Sequence, residues 1–339
     1  MKKLIVFIIC LATINMAYGK KLGSLTDVIN PYSIMIAGGK LYVVEGPKIY
    51  IYSIKNLKLE AKFGNAGEGP SEFKVVPIVN IGNVILDVYP NFLAITSIGK
   101  LSYFSTDGKF LKEFRTEHQW GCFKPLGDKF VGRGKIYQGN RKYNTVKLFD
   151  SNFKNGEEFS RTQSFFCEGS VNPMLMAGPE YFVINNLVYV EEDKELIQVY
   201  DMDGKPTSTL DISKGYDKVK ITQKDIDKYL DYFKTEPAFE SLYPIIKRDS
   251  KFPKYFPPIK NFASADGKLY IIRWTGTMGT REIAEFDVKG NLLKKARIPF
   301  FMKDPFIAYA YSFNGGKIYQ LVENENDEGK WDLLVEELK

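Results

Sequence analysis

Three kinds of side chain do most of the chemistry at protein sites: those that bind metals, those that move protons and those that hold charge. This chain is sparing with the first two. It has one histidine, His118, and three cysteines, Cys10, Cys122 and Cys167, in 339 residues. A histidine-based zinc site takes two or three imidazoles, and a cysteine-based one takes two to four thiolates. A Ser-His-Asp group would have to use His118, the one catalytic candidate, and no Gly-x-Ser-x-Gly elbow stands in the sequence. Oxygen ligands remain open, because Glu45, Asn185 and Glu323 could hold a calcium ion in a lactonase-like enzyme. No other cofactor is expected. Groups that hold charge are more plentiful. Arg133 and Arg273 recur in similar contexts, with Trp120, Trp274, Arg141, Tyr143 and Arg281 near them in sequence. Arginine and aromatic rings in a concavity suit a carboxylate, a phosphate or a sugar. The plainer alternative pairs each arginine with a neighbouring Glu or Asp.

Those residues need elements to position them, and an internal repeat supplies the elements. A small-residue turn followed by an alternating strand occurs six times, at residues 39–44, 91–95, 128–131, 179–184, 267–272 and 316–321. A second strand follows each copy, usually ending in an aromatic, as in Ile49-Tyr50-Ile51-Tyr52 and Ile283-Ala284-Glu285-Phe286. Asp107-Gly108 and Asp203-Gly204 then supply the positive φ angles that hairpins need. A third strand precedes each unit, at residues 32–37, 122–126, 174–177 and 262–265 among others, and a fourth follows it. Four short antiparallel strands repeated six times predict an all-β fold, a six-bladed β-propeller. With the aperiodic segment 215–258 set aside, residues 20–339 leave about 46 residues per blade, close to the usual period.

The sixth unit lacks an outermost strand, and the early segment 22–29 is expected to fill that place and close the ring. Residues 215–258 read as a helical insertion between blades 4 and 5. Ile226, Tyr229, Leu230 and Phe233 share one helix face, with Thr222 and Asp225 placed as a capping pair. Links between blades and ends of second strands fall on one face of a propeller, here termed the top face. That rule nominates Glu45, Arg133, Asn185, Arg273 and Glu323 from strand ends, and His118 and Trp120 from a link.

Residues 1–19 read as a signal peptide. Lys2 and Lys3 precede the apolar run 4–14, and Ala17-Tyr18-Gly19 offers a cleavage site. An exported protein, periplasmic or extracellular, is expected, with residues 20–339 as a single domain. An uncleaved anchor and a lipoprotein attached through Cys10 are the alternatives. In an oxidising compartment Cys122 and Cys167 are a candidate disulfide, and two free thiols are the other reading. The formal charge of +6 falls by two without Lys2 and Lys3, which is too weak to argue for nucleic acid. A monomer without a membrane span in the mature chain is expected.

The stretch Phe63-Gly64-Asn65-Ala66-Gly67-Glu68-Gly69-Pro70-Ser71-Glu72-Phe73 resembles the glycine-rich blade link of NHL-type and TolB-like six-bladed propellers. Tyr255-Phe256-Pro257-Pro258 looks like the return into blade 5 in secreted bacterial members that carry a helical insertion. The resemblance implies a fold and no single activity, since the relatives include binding scaffolds, lyases and lactonase-like enzymes. The favoured reading is a non-enzymatic scaffold that binds a protein, a peptide or an anionic or sugar ligand through its top face. The alternative is a hydrolase or lyase on the same scaffold.

Overall fold

Alternate residues of a strand point to opposite faces. In this chain both faces are apolar. Along Lys40–Glu45, Leu41 and Val43 enter a cluster with Leu321, Trp331 and Leu333, while Tyr42 and Val44 enter another with Leu86, Leu93 and Ile95. Each sheet is therefore buried on both sides, and the core lies between sheets rather than inside one. A face-to-face ring satisfies that pattern.

The computed structural model describes residues 19–74, 84–118, 121–139, 141–154, 156–167, 169–175, 179–192, 194–277 and 279–339. Among them are six four-stranded antiparallel sheets. From inner to outer strand, blade 1 is Ser33–Ala37, Lys40–Glu45, Lys48–Ser53 and Leu59–Phe63. Blade 2 is Ile85–Val88, Leu93–Ser97, Lys100–Phe104 and Phe110–Arg115. Blade 3 is Lys124–Leu126, Lys129–Gln138, Arg141–Phe149 and Glu157–Gln163. Blade 4 is Tyr181–Ile184, Leu187–Glu191, Leu196–Tyr200 and Pro206–Asp211. Blade 5 is Asn261–Ala265, Lys268–Arg273, Thr280–Phe286 and Leu292–Pro299. Blade 6 is Ala310–Asn314, Lys317–Glu323 and Trp331–Glu337, with Lys20–Leu25 as its outer strand.

The strand Lys20–Leu25 runs antiparallel to Trp331–Glu337, from Lys20 opposite Val335 to Leu25 opposite Trp331. The expected closing segment, 22–29, starts two residues late and ends four residues late. Residues past Leu25 turn toward blade 1, and the Ile29 carbonyl accepts from Trp331 Nε1 at 3.2 Å. The expected signal peptide lies outside the described residues except Gly19. No helix among the described residues is long and apolar enough to cross a membrane.

One blade differs from its sequence reading. Residues 179–184 were expected as the second strand of blade 4, after an inner strand at 174–177. Tyr181–Ile184 is instead the inner strand, and Pro173–Leu175 forms a short 3-10 turn. The hairpin turn that sets this register is Asn185-Asn186, with φ of 50° and 61°. Asparagine tolerates the left-handed region, so the pair makes a tight turn without glycine.

The insertion folds as two helices, α1 (Gln223–Thr235) and α2 (Tyr243–Asp249), joined by a 3-10 turn over Pro237–Leu242. Thr222 caps α1 in a full capping box with Asp225, which satisfies two helix-end amides. Tyr229 and Phe233 are buried. Phe233 and Ile246 pack on Val171, and Lys251 N donates to the Val171 carbonyl at 2.8 Å. The insertion thus lies over the link between blades 3 and 4, on the top face.

Candidate functional site

The hairpin turns fix which way each nominated side chain points. Blades 3 and 5 both turn from inner to second strand through two residues, closed by the pairs Leu126–Lys129 and Ala265–Lys268. Arg133 lies four residues past its closing residue, and Arg273 lies five past. A one-residue offset puts a side chain on the other face of the sheet. Arg133 consequently leans forward onto the start of blade 4, and Arg273 leans back onto its end. Arg133 Nη2 donates to the Pro179 carbonyl at 3.0 Å and to Glu180 Oε2 at 3.3 Å. Arg273 pairs with Glu282 at 3.2 Å, and its Nη2 donates to the carbonyls of Ile212 and, at 3.0 Å, Lys214. Arg273 is fully buried. The two arginines grip blade 4 from opposite sides and do not share a pocket.

Glu45 stands at the same offset as Arg273 and does the complementary job. Its carboxylate accepts from the amides of Ile29 and Asn30, in the link from the outer strand of blade 6 to blade 1, and from the Tyr50 hydroxyl at 2.8 Å. Arg273 holds carbonyls where Glu45 holds amides. Asn185 falls in the turn between the inner and second strands of blade 4, on the face opposite the top. Glu323 is exposed at the end of its strand in blade 6. The expected calcium set of Glu45, Asn185 and Glu323 is therefore not brought together. Among the described residues no group of three or more His, Cys, Asp or Glu side chains could hold a metal ion. Trp120 lies outside the described residues.

His118 packs 4.8 Å from the Phe149 ring and meets the Phe153 carbonyl through Nε2 at 3.1 Å. Among the described residues its ring meets Phe123, Phe149 and the Phe153 carbonyl, and its amide donates to Thr116 Oγ1 at 3.1 Å. Cys122 and Cys167 are free thiols, which corrects the candidate disulfide. Cys167 Sγ is occupied with the carbonyls of Lys142 and Ser164, at 3.5 and 3.7 Å. Cys122 precedes the inner strand of blade 3, where burial first, against nearby Arg133 and Lys124, holds its thiol above the ordinary range.

One nominated residue does lie in a distinctive setting. Trp274 stacks on Phe256 with ring centroids 4.2 Å apart and planes 21° apart. Tyr229 of α1 meets it edge-on at 6.4 Å. Arg281 Cζ sits 4.7 Å from the Trp274 ring centroid, and Lys260 Nζ sits 5.2 Å from it. Arg281 is 8% exposed and donates to the Thr280 carbonyl at 2.7 Å, while its buried Nε has no hydrogen-bond partner. Neither cation forms an ion pair with a carboxylate among the described residues. Burial first, then Arg281 and Lys194, with Asp304 opposing, depress the Lys260 amine to about 7. Lys260 Nζ also donates to the Asn261 side chain and the Phe306 carbonyl, both at 3.4 Å. Lys260 was missed in the sequence because it belongs to no periodic strand. The proline-rich return before it, Phe256-Pro257-Pro258, marked the place without marking the lysine.

The ring of six sheets, the shared strand and the helical cover define the chain as a six-bladed β-propeller with an insertion on its top face. No family model matches the chain, and no curated protein matches its sequence. Solved structures similar to it are remote. BamB from Moraxella catarrhalis is 10% identical, with 88% of this chain and 70% of that one covered and a TM-score of 0.31. A luciferin-regenerating enzyme is 12% identical, covering 94% and 93%, with a TM-score of 0.36. The BBS1N chain in a complex with ARL6DN is 12% identical, covering 91% and 78%, with a TM-score of 0.37. At these scores the architecture rests on the strand order of the chain itself.

Proposed function

We propose that this chain is an exported, non-enzymatic binding protein that takes an anionic ligand, a carboxylate or a phosphate ester, at its top face beneath the helical insertion. The observation that carries this reading is Arg281. A buried cation without a counter-ion costs free energy unless charge is supplied to it. Here a second cation, Lys260, stands beside the same indole and sharpens the deficit. An anion between them would accept charge-assisted hydrogen bonds from both. The α1 residue Tyr229 and the link residue Phe306, whose rings lie 4.7 Å apart, form the cover above Trp274. Removing water from that space strengthens each charged contact. Export is supported by the charged, apolar and small-residue segments of the first nineteen residues. Binding is preferred to catalysis because His118 is engaged with a carbonyl and two aromatic rings.

Titration of the mature protein with inorganic phosphate and with succinate, followed by tryptophan fluorescence, tests the site. Saturable change is expected, with the signal lost in Trp274→Phe and the affinity lowered about tenfold or more in Arg281→Met. No saturable change, or an affinity untouched by Arg281→Met, would remove the anion from this site. Mass spectrometry of protein recovered from a cell-surface or periplasmic fraction checks the expected start at Lys20.

A further inference from the structure

We propose that the overhanging hairpin of blade 3 is a docking arm for an acidic, extended segment of a partner protein, which adds as a strand along the edge Gly134–Gln138. The second strand of this blade runs for ten residues, Lys129–Gln138, whereas those of the other blades run for five to seven. The inner strand, Lys124–Leu126, covers only Lys129 to Val131. One further bond, from Arg133 N to the Gly121 carbonyl, extends that edge. Beyond it, no described strand pairs with residues 134–138 on the inner side.

The alternation of a strand decides what that edge offers. Arg133 directs its amide inward to Gly121, so Lys135 and Tyr137, two and four residues on, direct their amides and carbonyls the same way. These backbone groups are a ready template for another strand. The other side of the arm is already used, since Tyr143 pairs with Gln163 and Ser164 N donates to the Lys142 carbonyl at 2.9 Å.

Charge selects the occupant. Lys135 and Arg141 are exposed, Lys142 is half-buried, and none of the three forms an ion pair among the described residues. Tyr137 is 69% exposed, with Lys142 Nζ 5.9 Å from its ring centroid. A second copy of this chain would bring like charges together along the edge, which opposes self-pairing. An acidic strand would meet Lys135, Arg141 and Lys142 while its backbone completes the ladder. This arm is separate from the anion site under the insertion, so either can fail alone.

The probe is a fluorescent peptide of alternating Glu and Val, with a Lys-Val peptide and an alternately N-methylated Glu-Val peptide as controls. Polarisation with the full mature chain is expected to show binding of the Glu-Val peptide that weakens with salt. Lys135→Glu with Arg141→Glu should weaken it at least tenfold. Tyr137→Pro removes one edge donor without touching the pairing to Lys142, and should weaken binding as well, at unchanged thermal stability. The proposal is overturned if the Glu-Val peptide does not bind, or if the N-methylated or Lys-Val peptide binds equally well. Affinity unchanged in the charge-reversed protein would also overturn it.

Discussion

Arg273 and Arg281 leave one hairpin of blade 5 from opposite faces, and both are buried. Arg273 has Glu282 across the strand pair and two carbonyls at the end of blade 4. Arg281 has its neighbour's carbonyl, an indole face and a second cation. The contrast separates two meanings of a buried arginine. Where the chain supplies the countercharge, the arginine fastens blades together. Where no described carboxylate supplies it, the arginine is left for the charge that the proposed ligand would bring.

Matched substitutions break or sharpen that contrast. Arg273→Met should cost the most, about 3–5 kcal/mol in a urea titration, because the buried Glu282 loses its close partner and keeps only Lys295 Nζ, 3.9 Å away. Arg281→Met should cost under about 1 kcal/mol or stabilise the fold, because no buried carboxylate is orphaned. Equal losses would erase the distinction. Phosphate or succinate binding should reverse the order, falling in Arg281→Met and holding in Arg273→Met protein that still folds.

The next test is pH. Lys260 faces Arg281, Lys194 and Asp304, together with Trp274, Asn261 and the Phe306 carbonyl. Its folded value, about 7, lies below its unfolded value. Between the two the unfolded chain holds the extra proton, so this group makes stability rise with pH across that window. Lys260→Met should flatten the rise relative to the unmodified protein. Anion affinity should fall as pH climbs through about 7, and that fall should vanish in the same variant. A smaller effect is expected at Glu45, the structural counterpart of Arg273. Glu45→Gln should cost about 1 kcal/mol, since the amide can still accept from Ile29 and Asn30. Smallest is the thiol test: the denatured mature protein should alkylate at both Cys122 and Cys167 without reductant, with no change in stability.

How much of this was legible in the sequence depends on which signal each feature leaves. Double-sided burial makes the middle of strands such as Lys40–Glu45 an unbroken apolar run, Leu41 to Val44, and marks them at a glance. The helix α1 was equally open, through the spacing of Tyr229 and Phe233 and the Thr222–Asp225 cap. Blade 4 misled because its turn is Asn185-Asn186, without the glycine that marks the same turn in blades 1, 3, 5 and 6. The site was half legible. Trp274 and Arg281 were noticed as an arginine beside an aromatic, but Lys260 lies in an irregular return and leaves no pattern. Arg133 and Arg273 looked equivalent because their strands read alike, and the offset between them is set by where each two-residue turn closes.

By itself, the sequence determined the six-fold plan, the missing outer strand of the last blade, the helical nature of the insertion and the scarcity of imidazole. These are local properties, written in period-two alternation, turn residues, caps and simple counts. Only the tertiary structure decided which charges are matched. Glu282 neutralises Arg273 across a strand pair, whereas Arg281 and Lys260, twenty-one residues apart, converge on one indole without an ion pair to a carboxylate among the described residues. Countercharge depends on distance through space, and a repeat read along the chain does not contain that distance.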